Sequence, residues 1–388
     1  YSQKRWVSSM EYIKRSLDLN NDLKHKSVLL LGPRQTGKTQ LIEHQVKADI
    51  TYDLLQADVF RELSYAPQLI RQRVNDKTKL IAIDEIQKLP LLMDEVHSMI
   101  EKLRIKFILT GSSARKLKRS HTSLMAGRAR VKNLLPLTSK ELGKKFKLSV
   151  ALQYGLLPSI YFSEEKEKDL KDYAGLYLKE EILNEALVRR IENFSRFLEF
   201  SALTSGQILN FESIASDAQI SSRTIREYYA VLEDTLVGYL LRPIRSSPKR
   251  KSIATSKFYF FDIGVINSIT KRQLSSKTKE YGEALEHLIF MELHAFKTYS
   301  QKNIELNFWN SPRNGEVDFI LNEEIAVEVK SSENISVQHL QGLELLTKNE
   351  KMKRQIVVCQ EKHRRKIGNV EIIPVISFLE GLWGGEFV

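Results

Sequence analysis

Residues 27–39 read SVLLLGPRQTGKT, an apolar run from Ser27 to Leu31 followed by Gly32-Pro33-Arg34-Gln35-Thr36-Gly37-Lys38-Thr39. The second part has the G-x-x-x-x-G-K-T spacing of a phosphate-binding loop, and a helical segment, TQLIEHQV, comes next. Strand, glycine-bearing loop and helix in that order have a physical logic. The glycines let backbone N–H groups close around a phosphate, and the helix N-terminus adds a favourable dipole. Lys38 is placed to reach β- and γ-phosphates, and the Thr39 hydroxyl to ligate Mg²⁺. The whole stretch from Gly32 to Thr39 is therefore a candidate ATP site.

Working outward, further short apolar runs recur at ITYDLL (50–55), KLIAI (79–83), KFILT (106–110) and ARVKNLL (129–135). Runs of this length between crossover segments predict buried parallel strands in an α/β sheet. The third run ends in Asp84-Glu85, which puts two carboxylates at the carboxyl end of a buried strand, the edge where such sheets bind ligands. Asp84 is expected to hold Mg²⁺ through water, and Glu85 to act as general base toward the attacking water. FILTGSS (107–113) ends another strand in small polar residues, so Thr110 or Ser112 is expected to meet that water or the γ-phosphate.

Composition narrows the alternatives. The 388 residues carry 60 Lys+Arg, 48 Asp+Glu and one cysteine, with 42% apolar residues. That apolar share supports real cores, in two or three domains at this length. The lone cysteine excludes a disulfide scaffold and fits a reducing cytosol, so a cytoplasmic location is expected. No apolar window is long enough to span a bilayer, and no basic-then-apolar leader opens the chain, so no membrane partner is expected. Tyr1 in place of Met leads us to expect a few missing residues before it. Residues 102–147 hold 14 basic side chains and a single acid, Glu141, a density that attracts phosphate backbones and makes DNA an expected partner. Residues 281–388 carry 12 basic and 16 acidic side chains, the opposite balance.

From about 139 to 240 the pattern is helical. NFESIASDAQISSRTIREYYAVLEDTLVGYLL predicts two helices across a short polar turn, with Ile214, Ile220, Ile225, Tyr229 and Leu232 inward and Ser221 or Ser222 capping the second. Arg223, Thr224 and Arg226 then fall in its first turn, where recognition helices meet base edges. YLLRPI and KFYFFD are expected to form a wing tipped by Arg245, Lys249, Arg250 and Lys251.

Near the C-terminus, GEVDFIL (315–321) and IAVEVK (325–330) predict a β-hairpin with Asn322 to Glu324 as its loop. Pairing Leu321 with Ile325 sets Asp318 opposite Glu328, and Lys330 shares the face of Glu328. Facing carboxylates are unfavourable unless a cation lies between them. Asp318 and Glu328 are therefore expected to bind Mg²⁺ or Mn²⁺, with Lys330 orienting or activating water. Cys359 sits in an apolar strand and is expected in the core.

GPRQTGKT, LIAIDEIQ and LTGSSARKL in this order resemble the AAA-type ATPases of bacteria and archaea, in particular the family with an uncharacterised nuclease-like C-terminal domain. MAGRARVKNLLPLTSKEL resembles the way that family closes its ATPase core. The resemblance implies that Arg128, or else Arg130, reaches in trans to a neighbour's γ-phosphate, and hence a homo-oligomer. YGLLPSIY (154–161) resembles the family's Gly-x-x-Pro lid element, with Tyr154 standing where the first glycine is usual and Pro158 as the proline near the base. The D-x₉-E-x-K spacing resembles the PD-(D/E)xK nuclease-like fold, which implies a third carboxylate from the preceding helix, Glu286, or Glu283 one turn earlier.

The expected architecture is α/β throughout. It comprises a P-loop AAA-type parallel sheet (1–138), a helical lid (139–190), a winged helix-turn-helix (191–270) and a restriction-endonuclease-like α/β domain (271–388). Two functions follow: a DNA-associated ATPase carrying a metal-dependent nuclease-like site, or a nucleotide-dependent switch that binds DNA or protein and cuts nothing.

Overall fold

The structure, a computed structural model, describes residues 11–113, 127–177, 191–244, 256–276, 278–311 and 315–387. It divides into two compact units, one of residues 1–137 and 157–164, the other of residues 138–156 and 165–388.

In the first unit, β1 (Ser27–Leu31), β2 (Ile50–Asp53), β3 (Leu80–Asp84), β4 (Lys106–Gly111) and β5 (Ala129–Asn133) form one sheet in the order β2-β3-β4-β1-β5. Every neighbouring pair is parallel, as the apolar runs require. β1 lies in the interior of the sheet with Val28 to Leu31 at most 3% exposed, because its side chains are apolar on both faces. Leu31 pairs with Gly111 and Ile83 with Leu109, so the carboxyl ends of β1, β3 and β4 share one edge. Helix α1 (Lys38–Gln45) springs from the loop after β1, and α2 (Leu92–Lys102) lies between β3 and β4 in the chain.

The second unit carries α3 (Ile191–Leu203), α4 (Phe211–Ala218) and α5 (Ser222–Asp234). Ile214, Ile220, Ile225, Tyr229 and Leu232 are all buried, with Phe211 and Tyr229 edge to face at 5.7 Å between centroids. Gln219 takes a left-handed conformation (φ 56°) to end α4, and Ser221 rather than Ser222 caps α5, its hydroxyl accepting from the Thr224 amide at 3.2 Å.

Next come β6 (Gly238–Pro243) and β7 (Lys257–Phe260), an antiparallel pair, and the long helix α6 (Lys279–Tyr299). β8 (Leu306–Ser311), β9 (Gly315–Leu321), β10 (Ile325–Val329), β11 (Arg354–Cys359), β12 (Arg365–Ile367) and β13 (Val370–Pro374) complete a mixed sheet of order β12-β13-β11-β10-β9-β8-β6-β7. One sheet thus joins strands from both sides of residue 270. Its core gathers Trp309, Val317, Ile320, Ala326, Leu343, Val357 and Cys359. The β9–β10 hairpin pairs Leu321 with Ile325, Ile320 with Ala326 and Phe319 with Val327, the expected register. Both faces of β10 are buried, not only that of Ile325, Val327 and Val329, so Glu328 stands in a closed environment. Arg245, Lys249, Arg250 and Lys251 lie outside the described residues.

Candidate functional sites

The phosphate loop is held from below and from the side. Gly32 approaches the main chain after β5 so closely that a Cβ there would lie 2.4 Å from the Leu134 carbonyl, and Gly37 sits at φ +92°, a conformation open to glycine. Gln35 is left-handed as well, at φ 63°. Arg15, 5% exposed, donates from Nη1 to the Thr36 carbonyl (2.7 Å) and from Nη2 to the carbonyls of Leu135 (2.6 Å) and Pro136 (3.1 Å). This strut was not apparent in the sequence, where an arginine ahead of the first strand carries no motif. Ser159, beside Pro158 at the start of a short helix, donates its hydroxyl to Gln35 Oε1 at 2.7 Å, which brings the 158–161 turn onto the loop.

Lys38 is buried with its ammonium folded onto the loop's own carbonyls, Gly32 at 2.7 Å and Pro33 at 3.1 Å. Thr39 donates its hydroxyl to Asp84 Oδ2 at 2.7 Å. Thr110 donates to Asp84 Oδ1 and its oxygen accepts from the Glu85 amide at 3.0 Å, so the β4 threonine clamps both acids. Glu85 itself is at φ 58°, bent off the strand, where Gln87 Nε2 donates to its Oε2 and to Ser112 Oγ (3.1 Å). Ser112 therefore faces Gln87, a residue that sequence reasoning passed over, although it follows the acidic pair by two positions. The set of an ammonium, a hydroxyl and two carboxylates around a glycine-cleared loop fits a nucleotide triphosphate with Mg²⁺.

On the edge strand β5 and just ahead of it, each candidate arginine has an acid. Arg128 Nε donates to Glu101 Oε1 at 2.8 Å, and Arg130 meets Asp22 at 2.5 Å. Lys132 adds a second contact to Asp22 at 2.8 Å. The expected basic stretch is thus partly neutralised from the neighbouring helices.

The second cluster lies around β9 and β10. Asp318 Oδ2 accepts from the Val329 amide at 2.8 Å, and Lys330 Nζ donates to Glu328 Oε1 at 2.6 Å. Glu328 Oε2 is buried with no partner. The unforeseen member is Lys257 at the head of β7. Its side chain is 2% exposed, and its Nζ lies 2.5 Å from Glu316, 3.2 Å from Glu286 and 3.7 Å from Asp318. Tyr259 donates its hydroxyl to the same Glu286 Oε1 at 2.5 Å. Glu283, the alternative third acid, instead meets Arg272 (3.0 Å) and Lys279 (3.1 Å). Among the described residues no group of three or more His, Cys, Asp or Glu is placed to hold a metal. Glu286, the expected third carboxylate beside Asp318 and Glu328, is bonded here to Lys257 and Tyr259.

The electrostatics follow from burial. Desolvation, then the negative charges of Glu328 and Glu286, push Asp318 well above the usual carboxylate range despite Lys257 and Lys330. Glu328 is raised too, by burial against the pull of Lys330. Burial disfavours the charge of Lys257, but Tyr259, Glu286, Asp318 and Glu316 outweigh it and raise its pKa. Four carboxyl groups and two ammoniums share the cluster, and burial favours a proton on Asp318 unless a further cation takes its place. With the orphaned Glu328 oxygen, the Asp318–Glu328 pair fits a hard divalent cation taking oxygen ligands.

In α5, Arg223 pairs with Glu227 (3.3 Å) and is 90% exposed, while Arg226 lies over the Phe211 ring at 4.9 Å and 3.8 Å from Glu212. Among the described residues, no helix is long and apolar enough to cross a membrane.

Residues 24–143 match an AAA domain. Residues 128–276 and 281–378 match two domains of unknown function, DUF8612 and DUF4143. An uncharacterised protein of Mycobacterium tuberculosis is 25% identical over 75% of this chain, and the chain spans 66% of that relative's length. An uncharacterised protein of Methanocaldococcus jannaschii is 24% identical over 95% of this chain and 92% of its own. The replication initiator DnaA, solved with AMPPCP and single-stranded DNA, overlaps 55% of this chain and 85% of its own at 15% identity, with a TM-score of only 0.27.

Proposed function

We propose that the chain is an ATP-hydrolysing AAA-type ATPase that associates with DNA and carries a metal-dependent nuclease-like centre in its second unit. The observation that supports this reading best is the bond from Thr39 to Asp84, which joins the phosphate loop to the acidic end of β3 beneath the AAA-domain match. Lys38 exchanges the Gly32 and Pro33 carbonyls for β- and γ-phosphate oxygens when nucleotide enters. Thr39 and Asp84 would hold the Mg²⁺, whose chemistry is to neutralise charge on the phosphates. Glu85 accepts the proton of the attacking water, and Gln87, bridging it to Ser112, holds the carboxylate until then. Lys38→Ala should reduce ATP binding and turnover to background; turnover undiminished in that variant overturns the assignment.

Arg128 is our candidate for a residue acting on a neighbouring subunit's γ-phosphate, once released from Glu101. ATPase rate per subunit should then rise with protein concentration, and a rate that stays flat on dilution to monomer removes Arg128 from that role. In the second unit, Asp318 and Glu328 would hold Mg²⁺ or Mn²⁺, which supplies Lewis-acid charge at a phosphodiester, while Lys330 orients water. We read the 191–270 segment as a winged helix. Its α5 arginines and the basic residues of 102–147 are the proposed DNA contacts. Weakening of duplex binding in an Arg223→Ala/Arg226→Ala variant would support the first of these, and unchanged binding would discard it.

A second reading, a nucleotide-dependent switch that cuts nothing, draws on Lys257, which already gives three of the four carboxylates a positive neighbour.

A further inference from the structure

Lys257 belongs to the strand that follows the helix-turn-helix, yet its ammonium lies among acids from α6 and β9. A 2%-exposed lysine is costly unless its charge is matched, and here the matching groups are Glu286, Glu316 and Asp318, with the Phe308 ring 5.5 Å below. The acid that it shares with the candidate cation site is Asp318, at the longest of its contacts. The other anchors of that site do not depend on it. Asp318 keeps the Val329 amide and Glu328 keeps Lys330, so removing the ammonium leaves both carboxylates tethered.

We propose that Lys257 is a resident counter-ion of the Asp318–Glu328 site, lent by the β6–β7 hairpin, and that it holds down the site's affinity for a divalent cation. The inference rests on reading that carboxylate pair as a cation site. Two positive charges sharing one buried carboxylate repel each other at low local dielectric, so a metal ion enters against the lysine. A substitution that keeps the stem and deletes the charge therefore tightens metal binding, whereas a merely structural lysine would loosen it when lost.

The test is a Mn²⁺ titration of the nucleotide-free full chain, followed by the loss of the free-ion electron paramagnetic resonance signal. It compares the parent with Lys257→Met, Lys257→Gln, Lys257→Arg and Asp318→Asn, each checked for folding by its thermal melt. We expect Lys257→Met to bind Mn²⁺ at least about tenfold more tightly than the parent, with Lys257→Arg near the parent value. Lys257→Gln stands in if the methionine variant does not fold. Binding in the charge-deleted variant alone supports the proposal in its strongest form. Binding in the parent, lost in Asp318→Asn and unchanged or weakened by deletion of the lysine charge, overturns the counter-ion role while leaving the cation site. No binding in any variant removes the cation site itself, and the inference with it.

Discussion

The phosphate loop and the β9–β10 carboxylates are both acidic pockets with a lysine, yet they are built on opposite principles. In the first, the reactive groups come from three strand ends that the parallel sheet brings to one edge, and the ammonium of Lys38 rests on neutral carbonyls. In the second, four acids from a helix and a hairpin converge, and two ammoniums are pressed against them. In the first pocket the ammonium is held by uncharged acceptors, which an anion would outcompete. The second is closed on itself, with its acids raised by burial, so that a cation would compete with protons there. Charge matching therefore separates the two sites more sharply than residue type does.

The largest effect that would break this contrast is at Glu85. Glu85→Gln should lower ATP turnover by about 10²–10⁴-fold while nucleotide binding persists, since a general base acts only in the chemical step. Turnover near the parent rate would reduce Glu85 to a partner of Gln87. Next is Asp318→Ala, expected to abolish metal-dependent DNA cleavage and any metal-induced rise in melting temperature, with ATP turnover at the parent rate. A panel of single-stranded, duplex, branched and supercoiled substrates with Mg²⁺ or Mn²⁺, with and without ATP, reads it out. Parent protein that cuts none of them favours the switch.

The smallest effect supplies a reference point. Glu292, on α6 six residues beyond Glu286, is fully buried but held by neutral donors, the Ser139 amide (2.6 Å) and hydroxyl (3.0 Å) and the Trp383 indole (2.6 Å). Burial outweighs those bonds and raises its pKa from 4.5 to about 7. Between those values the native state holds the extra proton, so this contribution is full below pH 4.5 and is lost as pH rises through about 7. The full span corresponds to ~3 kcal/mol. Denaturant unfolding at pH 5 and pH 8 should show the parent losing more stability than Glu292→Gln. Equal losses would mean that the carboxylate is already ionised at pH 5.

The sequence made the first pocket legible because its parts are contiguous. Gly32 to Thr39 and Asp84-Glu85 each sit in a single short stretch, and apolar runs fixed the strands that carry them. The hairpin register was equally readable, since turn and alternation determine it locally. What escaped is contributed from far along the chain. Lys257 opens KFYF, whose other three residues are almost fully buried, and a charge at the head of such a strand had to find partners. That signal was present, but the wing reading of KFYFFD gave its lysine no role. Arg15 escaped for the same reason, as its acceptors are backbone carbonyls that no residue pattern marks.

Arg15 also bears on the order in which the protein acquires competence. The carbonyls that fix it to the loop belong to Leu135 and Pro136, 120 and 121 residues downstream. Contacts across so long a span raise the contact order of the fold, which slows folding as a whole. A chain still emerging from the ribosome would display GPRQTGKT in full yet lack the brace that sets its shape. The brace cannot form until the chain has been made through Pro136, past the last strand of the first sheet.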